Sequence, residues 1–320
     1  MTLSDDTRLI LSPHAGLEES DDAVTIRCPD ADAELRLPRG AALRRAILAA
    51  DGSQALAELV ALAGPDRAGA RELLGALADC GILWDATGLL AARDAAAQLA
   101  CYYRLCDGWA QDVFVREFWQ RMLSGRASRA EVLGWCEQFY HRTVGADVHN
   151  ASAVANCRDP WIRSELAAHF DEEFGHGEIF LAGLAACGRS RDQVAAPLAS
   201  TRQLIEFMDR LGQTDTLAYL GCYGVLHSPR VGQTIDAARA QFRHFAALYP
   251  FAAPAMDAIL QHAELDFAGQ HDQILLEKLI DQRGPLDRGE ALRVLRAAHG
   301  TVQSFNRFFD GIVAHYGAEP

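Results

Sequence analysis

A chain of 320 residues, half of them hydrophobic, can bury one large core or a small one beside a large one. Its formal net charge of −13 argues against a nucleic-acid partner. No apolar run is long enough to cross a bilayer, and the acidic start M-T-L-S-D-D is unlike a signal peptide, so a soluble cytoplasmic protein with no membrane partner is expected.

Residues 1–88 mix strand and helix signals. Alternating apolar positions predict short strands at Arg8–Leu11, Ala23–Arg27 and Glu34–Leu37, separated by the turn-rich S-P-H-A-G and P-D-A-D. Three helices should follow. The first covers Ala41–Ala50 and ends at Asp51-Gly52, and the second takes Ser53 as N-cap and stops near Gly64-Pro65. The third runs from about Asp66 to Cys80 and closes with Gly81. With the apolar Ile82-Leu83-Trp84 after them, these elements describe a small winged-helix-like α+β domain.

From about Ala91 the texture becomes that of long helices rich in Ala and Leu. Their expected extents are 91–107, 110–123, 129–153, 160–187, 191–212, 214–226, 230–247, 252–281 and 287–316. Breaks fall at Ser124-Gly125, Asp159-Pro160, Cys187-Gly188 and Gly284-Pro285, among others. Nothing here alternates with period two. Residues 89–320 should therefore form an all-α bundle with its sites built from facing helices. Eight cysteines are scattered without a C-x-x-C pair and are expected to be core thiols, not zinc ligands.

The chemistry concentrates in S-E-L-A-A-H-F-D-E-E-F-G-H-G-E-I-F, Ser164 to Phe180. On a continuous helix, His169, Glu172, Glu173 and His176 share one face, being spaced i, i+3, i+4 and i+7. Charges on a partly buried face must be paired or must hold a cation. A second cluster, Q-H-A-E-L-D-F-A-G-Q-H, puts His262 and Asp266 one turn apart. The i+7 position there is Gly269, and His271 joins that face only if the helix unwinds at the glycine. One such pair is ordinarily a solvated, helix-stabilising contact. Two in one bundle, with imidazole and carboxylate and no thiolate, point to non-haem iron or manganese. His176, His262 and Asp266 would make a 2-His-1-carboxylate set, and Glu172 or Glu173 could bridge to a second iron.

The segments R-E-F-W-Q-R-M-L-S-G-R-A-S-R-A-E-V-L-G-W-C-E-Q-F-Y-H, D-E-E-F-G-H-G-E-I-F-L-A-G-L-A-A-C-G and H-A-E-L-D resemble the haem-oxygenase-like superfamily over roughly residues 95–315. More narrowly, it resembles the branch of TenA-like thiaminases, PqqC-like quinone synthases and haem-oxygenase-like diiron oxidases. The resemblance implies a Glu and a His on one helix, a Glu on a middle helix, and H-x-x-x-D-x-x-H on a later one. Glu173 (or Glu172) with His176 matches the first set, and His262 with Asp266 matches the start of the last. Two positions depart: Gly269 replaces the final His, and Leu226 or His227 stands where the middle Glu is implied. A site remodelled with His227 or His271 is one alternative, and a metal-free PqqC-like pocket is another. Residues 1–88 resemble the PqqD-like peptide-recognition domain, carried by A-E-L-R-L-P-R-G-A-A-L-R-R-A-I-L-A-A-D-G and L-L-G-A-L-A-D-C-G-I-L. That domain type takes a leader peptide as an added strand.

These observations together describe an iron-dependent oxidoreductase. One or two iron ions and dioxygen would tailor a peptide- or amino-acid-derived substrate in the biosynthesis of a ribosomal-peptide (RiPP) type of natural product. An external reductant is required, because no flavin or nicotinamide fingerprint is present. The alternatives are a metal-free oxidase and a non-catalytic peptide-binding protein on a decayed enzyme fold.

Overall fold

The computed structural model describes residues 3–20, 23–28, 33–38, 42–226, 234–268 and 274–317. By packing they fall into two compact units, Met1–Val115 with Leu279–Gln303, and Arg116–Lys278 with Ser304–Pro320.

In the first unit, β1 (Leu9–Leu11) pairs antiparallel with a strand at residues 83–85, placing Ile10 opposite Trp84. Strands β2 (Gly16–Glu19), β3 (Ala23–Cys28) and β4 (Ala33–Pro38) form an antiparallel meander in that order. Helices α1 (Ala42–Leu48), α2 (Leu56–Leu62) and α3 (Arg67–Asp79) come next, then β5 (Leu83–Asp85) closes onto β1. Leu9, Ile26, Ile47, Leu56, Leu59, Leu74 and Leu83 share one apolar core. Two local expectations change. Gly16–Glu19 is a strand because its backbone pairs with β3, although G-L-E-E carries no alternation. Helix α2 starts at Leu56, not after Ser53, because the Ser53 N–H (2.9 Å) and hydroxyl (2.5 Å) both donate to Asp51 Oδ1. Asp66 caps α3 as expected, accepting from the Gly69 N–H.

Helices α4 (Thr87–Ala91) and α5 (Ala95–Asp112) complete this unit together with residues 279–303. Buried polar groups fix them. Gln98 donates to the Leu286 carbonyl (2.9 Å) and accepts from the Leu286 N–H (2.8 Å). Nε2 of His14 lies 2.7 Å from the Trp109 carbonyl, and Nε2 of His299 lies 2.9 Å from that of Leu11. A buried carbonyl left without a donor would cost about 1–3 kcal/mol.

The second unit contains α6 (Glu117–Leu123), α7 (Arg129–Asn156), α8 (Pro160–Glu173), α9 (Gly177–Ala186), α10 (Ala199–Thr214), α11 (Thr216–Leu226), α12 (Ile235–Leu248) and α13 (Ala253–Ala268). After it come α14 (Leu275–Arg283) and α15 (Arg288–Tyr316), whose last turns from Ser304 belong to this unit. Helix α7 starts on a capping box, Ser128 with Glu131. Glu131 is fully buried and is held by Arg121 at 3.1 Å. Around α7 the aromatic rings of Phe118, Trp119, Trp135 and Phe309 pack at centroid distances of 5.2–5.8 Å. The sequence predicts single helices over 160–187 and 252–281. In the structure the first breaks between α8 and α9; within the second, α13 and α14 are described and residues 269–273 are not.

Candidate metal centre

Asp159 caps α8 through the N–H groups of Trp161 and Ile162, and Pro160 occupies its first turn, where no N–H is missed. The helix stops at Glu173. Phe174 swings to an extended backbone, Gly175 takes φ +84°, and His176 restarts the chain as the N-cap of α9. The Gly175 N–H donates to Asp147 on α7 (3.3 Å), which pins the turn. The continuous four-residue face is thereby divided. Glu172 points to solvent, while His169 and Glu173 are buried and His176 is half-buried.

Opposite this turn, α13 crosses α9 at very short range. A Cβ on Gly183 would lie 2.6 Å from Ala258 Cβ and 2.9 Å from the Pro254 carbonyl, so only glycine allows this approach. The crossing brings His262 to Glu173 and His176. His176 Nδ1 is 3.3 Å, and His262 Nε2 3.6 Å, from Glu173 Oε2, and the two imidazole rings are 4.9 Å apart. One donor atom from each of the three lies within 4.8 Å of the others; among the described residues this is the group able to hold a metal ion. Asp266 stands on the far side of the His262 ring, its Oδ2 3.2 Å from Nδ1. Burial works against a charge on His262, but Asp266 and Glu173 outweigh it and lift the imidazole to about 9. Asp147 moves up as well, chiefly through burial, with Glu173 adding to it and His176 and the Gly175 N–H opposing.

These three residues line a cavity in part: Glu173 and His262 face about 190 Å³ of space bounded by α7, α8, α10, α11, α12 and α13 and by Phe305 of α15. Apolar wall comes from Leu204, Ile205, Met208 and Ile259. His169 also faces the cavity, edge-on to Tyr223 at 5.0 Å, and is not within the three-residue group. Leu226, where the resemblance implies a Glu, lines the wall with an apolar side chain. His227, Gly269 and His271 lie outside the described residues.

Sequence reasoning missed two parts of this wall. Tyr219 and Tyr223 on α11 both donate to Asn150 Oδ1 (2.5 and 2.8 Å), and the Tyr219 hydroxyl also meets His149 Nδ1 at 2.7 Å. Burial raises both phenols above their ordinary range. Arg142, also on α7, packs its guanidinium over Phe139 and Phe305 at 4.7 and 5.5 Å. A signal was present. Phe139, Arg142, Ala146, His149 and Asn150 follow helical spacing on one face of α7.

The residues fit an iron-type ion. Among the described residues His176 Nδ1 is buried without a hydrogen-bond partner, yet it lies beside a carboxylate oxygen. Bonds of about 2.1 Å give ligand–ligand edges of about 3.0–3.4 Å, close to the 3.3 and 3.6 Å found here. Two imidazoles and one carboxylate are the donor set of open non-haem iron sites. With an ion on Nε2 of His262, Asp266 would take the outer position of a carboxylate–histidine–metal arrangement, orienting the ring from behind.

No protein-family model matches the chain, and no curated protein matches it. Solved structures do. A domain of unknown function with a haem oxygenase-like fold from Shewanella denitrificans superposes with a TM-score of 0.54 at 17% identity, over 68% of this chain and 93% of that one. A TenA homologue from Pseudomonas syringae pv. tomato superposes with a TM-score of 0.50 at 15% identity, over 68% of this chain and 92% of that one. The protein has a haem oxygenase-like helical fold. At these identities the likeness concerns fold alone. No helix among the described residues is long and apolar enough to cross a membrane.

Proposed function

We propose that the bundle is a non-haem iron oxidase or oxygenase acting with dioxygen on a peptide- or amino-acid-derived substrate. The observation that carries this reading is the group Glu173, His176 and His262 at the edge of a cavity whose wall combines apolar side chains with polar ones from α7 and α8. Bound iron would activate dioxygen, with electrons from a separate reductant. Glu173 and the two imidazoles would hold one ion, and Asp266 would keep His262 in the tautomer that presents Nε2. The apolar wall of Leu204, Ile205, Met208 and Ile259 would exclude water and seat the substrate. Leu226 supplies no donor for a second ion, which favours one metal per chain.

Residues 1–88 would serve as a PqqD-like recognition domain. In support, β2 and β4 are the outer strands of their sheet, the positions at which a peptide strand adds. The test of the metal is elemental analysis of protein from iron-supplemented cells. One iron per chain is expected in the wild type, with loss in His176→Ala and His262→Ala. Iron-free wild type, or variants that keep a full complement, defeats the reading. Recruitment is checked by fluorescence anisotropy with a precursor peptide encoded beside the gene, where saturable binding is expected.

A further inference from the structure

The geometry points to Arg142 as the anchor for a carboxylate group of the substrate, which makes the substrate class a small carboxylic acid with an apolar body. This deepens the metal-oxidase reading and rests on it. Arg142 lines the same cavity as Glu173 and His262, held between Phe139 and Phe305, yet among the described residues its guanidinium makes no hydrogen bond or ion pair. A guanidinium carries five N–H donors in a planar fork and stays charged in proteins. Leaving such a group against a cavity without an acceptor is costly, and a bidentate carboxylate is its natural complement.

Charge balance gives the same answer. Glu173 and Asp266 are the carboxylates that act on Arg142 through space, but neither lies within ion-pair distance of it. With a divalent ion at Glu173, those two carboxylates are matched, and among the described cavity residues Arg142 remains the one uncompensated charge. The cavity then favours a single negative group at Arg142 and apolar atoms along Leu204, Ile205, Met208 and Ile259. Size sets a limit. An apolar protein cavity of about 150 Å³ takes up benzene, so about 190 Å³ suits a compact acid or the last residue of a peptide, not a folded chain.

The test is isothermal titration of the full-length, Mn(II)-loaded protein with hexanoate against hexan-1-ol, and with Gly-Gly-Leu against its C-terminal amide. At least tenfold tighter binding of the acid is expected in one pair. Preference in the hexanoate pair assigns a free acid, and preference in the peptide pair assigns a peptide C-terminus. Equal binding within both pairs overturns the proposal. Arg142→Met, which keeps the apolar stem between the two rings, should lose the preference, and Arg142→Lys should keep part of it. An Arg142→Met protein that retains the full preference also overturns it, since the acid would then be binding the metal. Metal per chain, measured on the same samples, reports on the metal reading separately: a metal-poor wild type sinks that reading, whereas metal-replete protein with no acid preference sinks only the role of Arg142.

Discussion

Asp266 lies one turn from His262 and reads in the sequence as a ligand, but the structure places it behind the ring, 3.2 Å from Nδ1, while Nε2 faces Glu173. Asp266→Asn separates these two roles. The rise of His262 from 6.5 to about 9 corresponds to roughly 3 kcal/mol of preference for positive charge at that ring, net of burial, and both carboxylates supply it. Asparagine keeps the shape and a carbonyl acceptor for Nδ1–H but removes one of the two charges. The expected cost is that of losing an outer partner, about 10–100-fold in metal affinity, or about 1.4–2.8 kcal/mol. Competition of Mn(II) or Fe(II) against a chromogenic chelator measures it, with His262→Ala as the reference for loss of a true ligand. Asp266→Asn protein that is as metal-free as His262→Ala would make Asp266 a ligand and refute the orienting role. Unchanged affinity would refute any role.

Three further substitutions read the scaffold and its pH response. Gly183→Ala forces a methyl within 2.6 Å of Ala258 Cβ, so α9 and α13 must separate. A loss of about 1–3 kcal/mol in calorimetric stability is expected, with weaker metal binding because His176 and His262 sit on either side of that crossing; unchanged metal affinity would count against the crossing as the positioning element. Gly175→Ala puts a side chain at φ +84° and should cost about 1–2 kcal/mol, seen as a melting point lowered by several degrees. Half-buried His299 is pushed down to about 4, mainly by desolvation of its ring, with nearby His14 adding to the shift and the hydrogen bond to Leu11 opposing it. Between pH 6.5 and 4 the unfolded chain therefore binds a proton that the folded chain refuses. The stabilisation is complete above the unfolded value and falls with pH through this window, by up to about 3 kcal/mol. Urea titrations from pH 7 to 4 should show that slope flattened in His299→Gln, and a parallel slope in both proteins would remove His299 as its source.

Local signals in this chain are legible where one residue suffices to set the backbone. Asp159-Pro160, Ser128 with Glu131, and Asp66 each begin a helix where the sequence puts it. The α8–α9 break is different. Leu166, Phe170 and Leu181 would share one face of an unbroken helix, and that periodicity hides the positive φ that Gly175 adopts. Glu172, still within α8, is exposed although it belongs to the predicted face. The network of His149, Asn150, Tyr219 and Tyr223 joins residues about seventy apart, which no helical period can reveal. Strand β2 was likewise invisible, because G-L-E-E is a strand only through its pairing with β3.

The broken helix also bears on how many ions the site can hold. An unbroken helix would have offered four donors along one stripe, with Cβ atoms about 5–6 Å apart at each step, enough to be shared between two ions. The turn at Gly175 instead folds His176 back to within 3.3 Å of Glu173, a separation suited to two ligands on one ion. His262 approaches from α13 with one nitrogen, its other nitrogen being committed to Asp266. Leu226 meets the same cavity with carbon only. Three donors of this kind would hold one ion and leave it positions free for other ligands, the donor set of open non-haem iron sites. Arg142, His149 and Asn150 of α7 line the same cavity, so polar groups face the three donors across it.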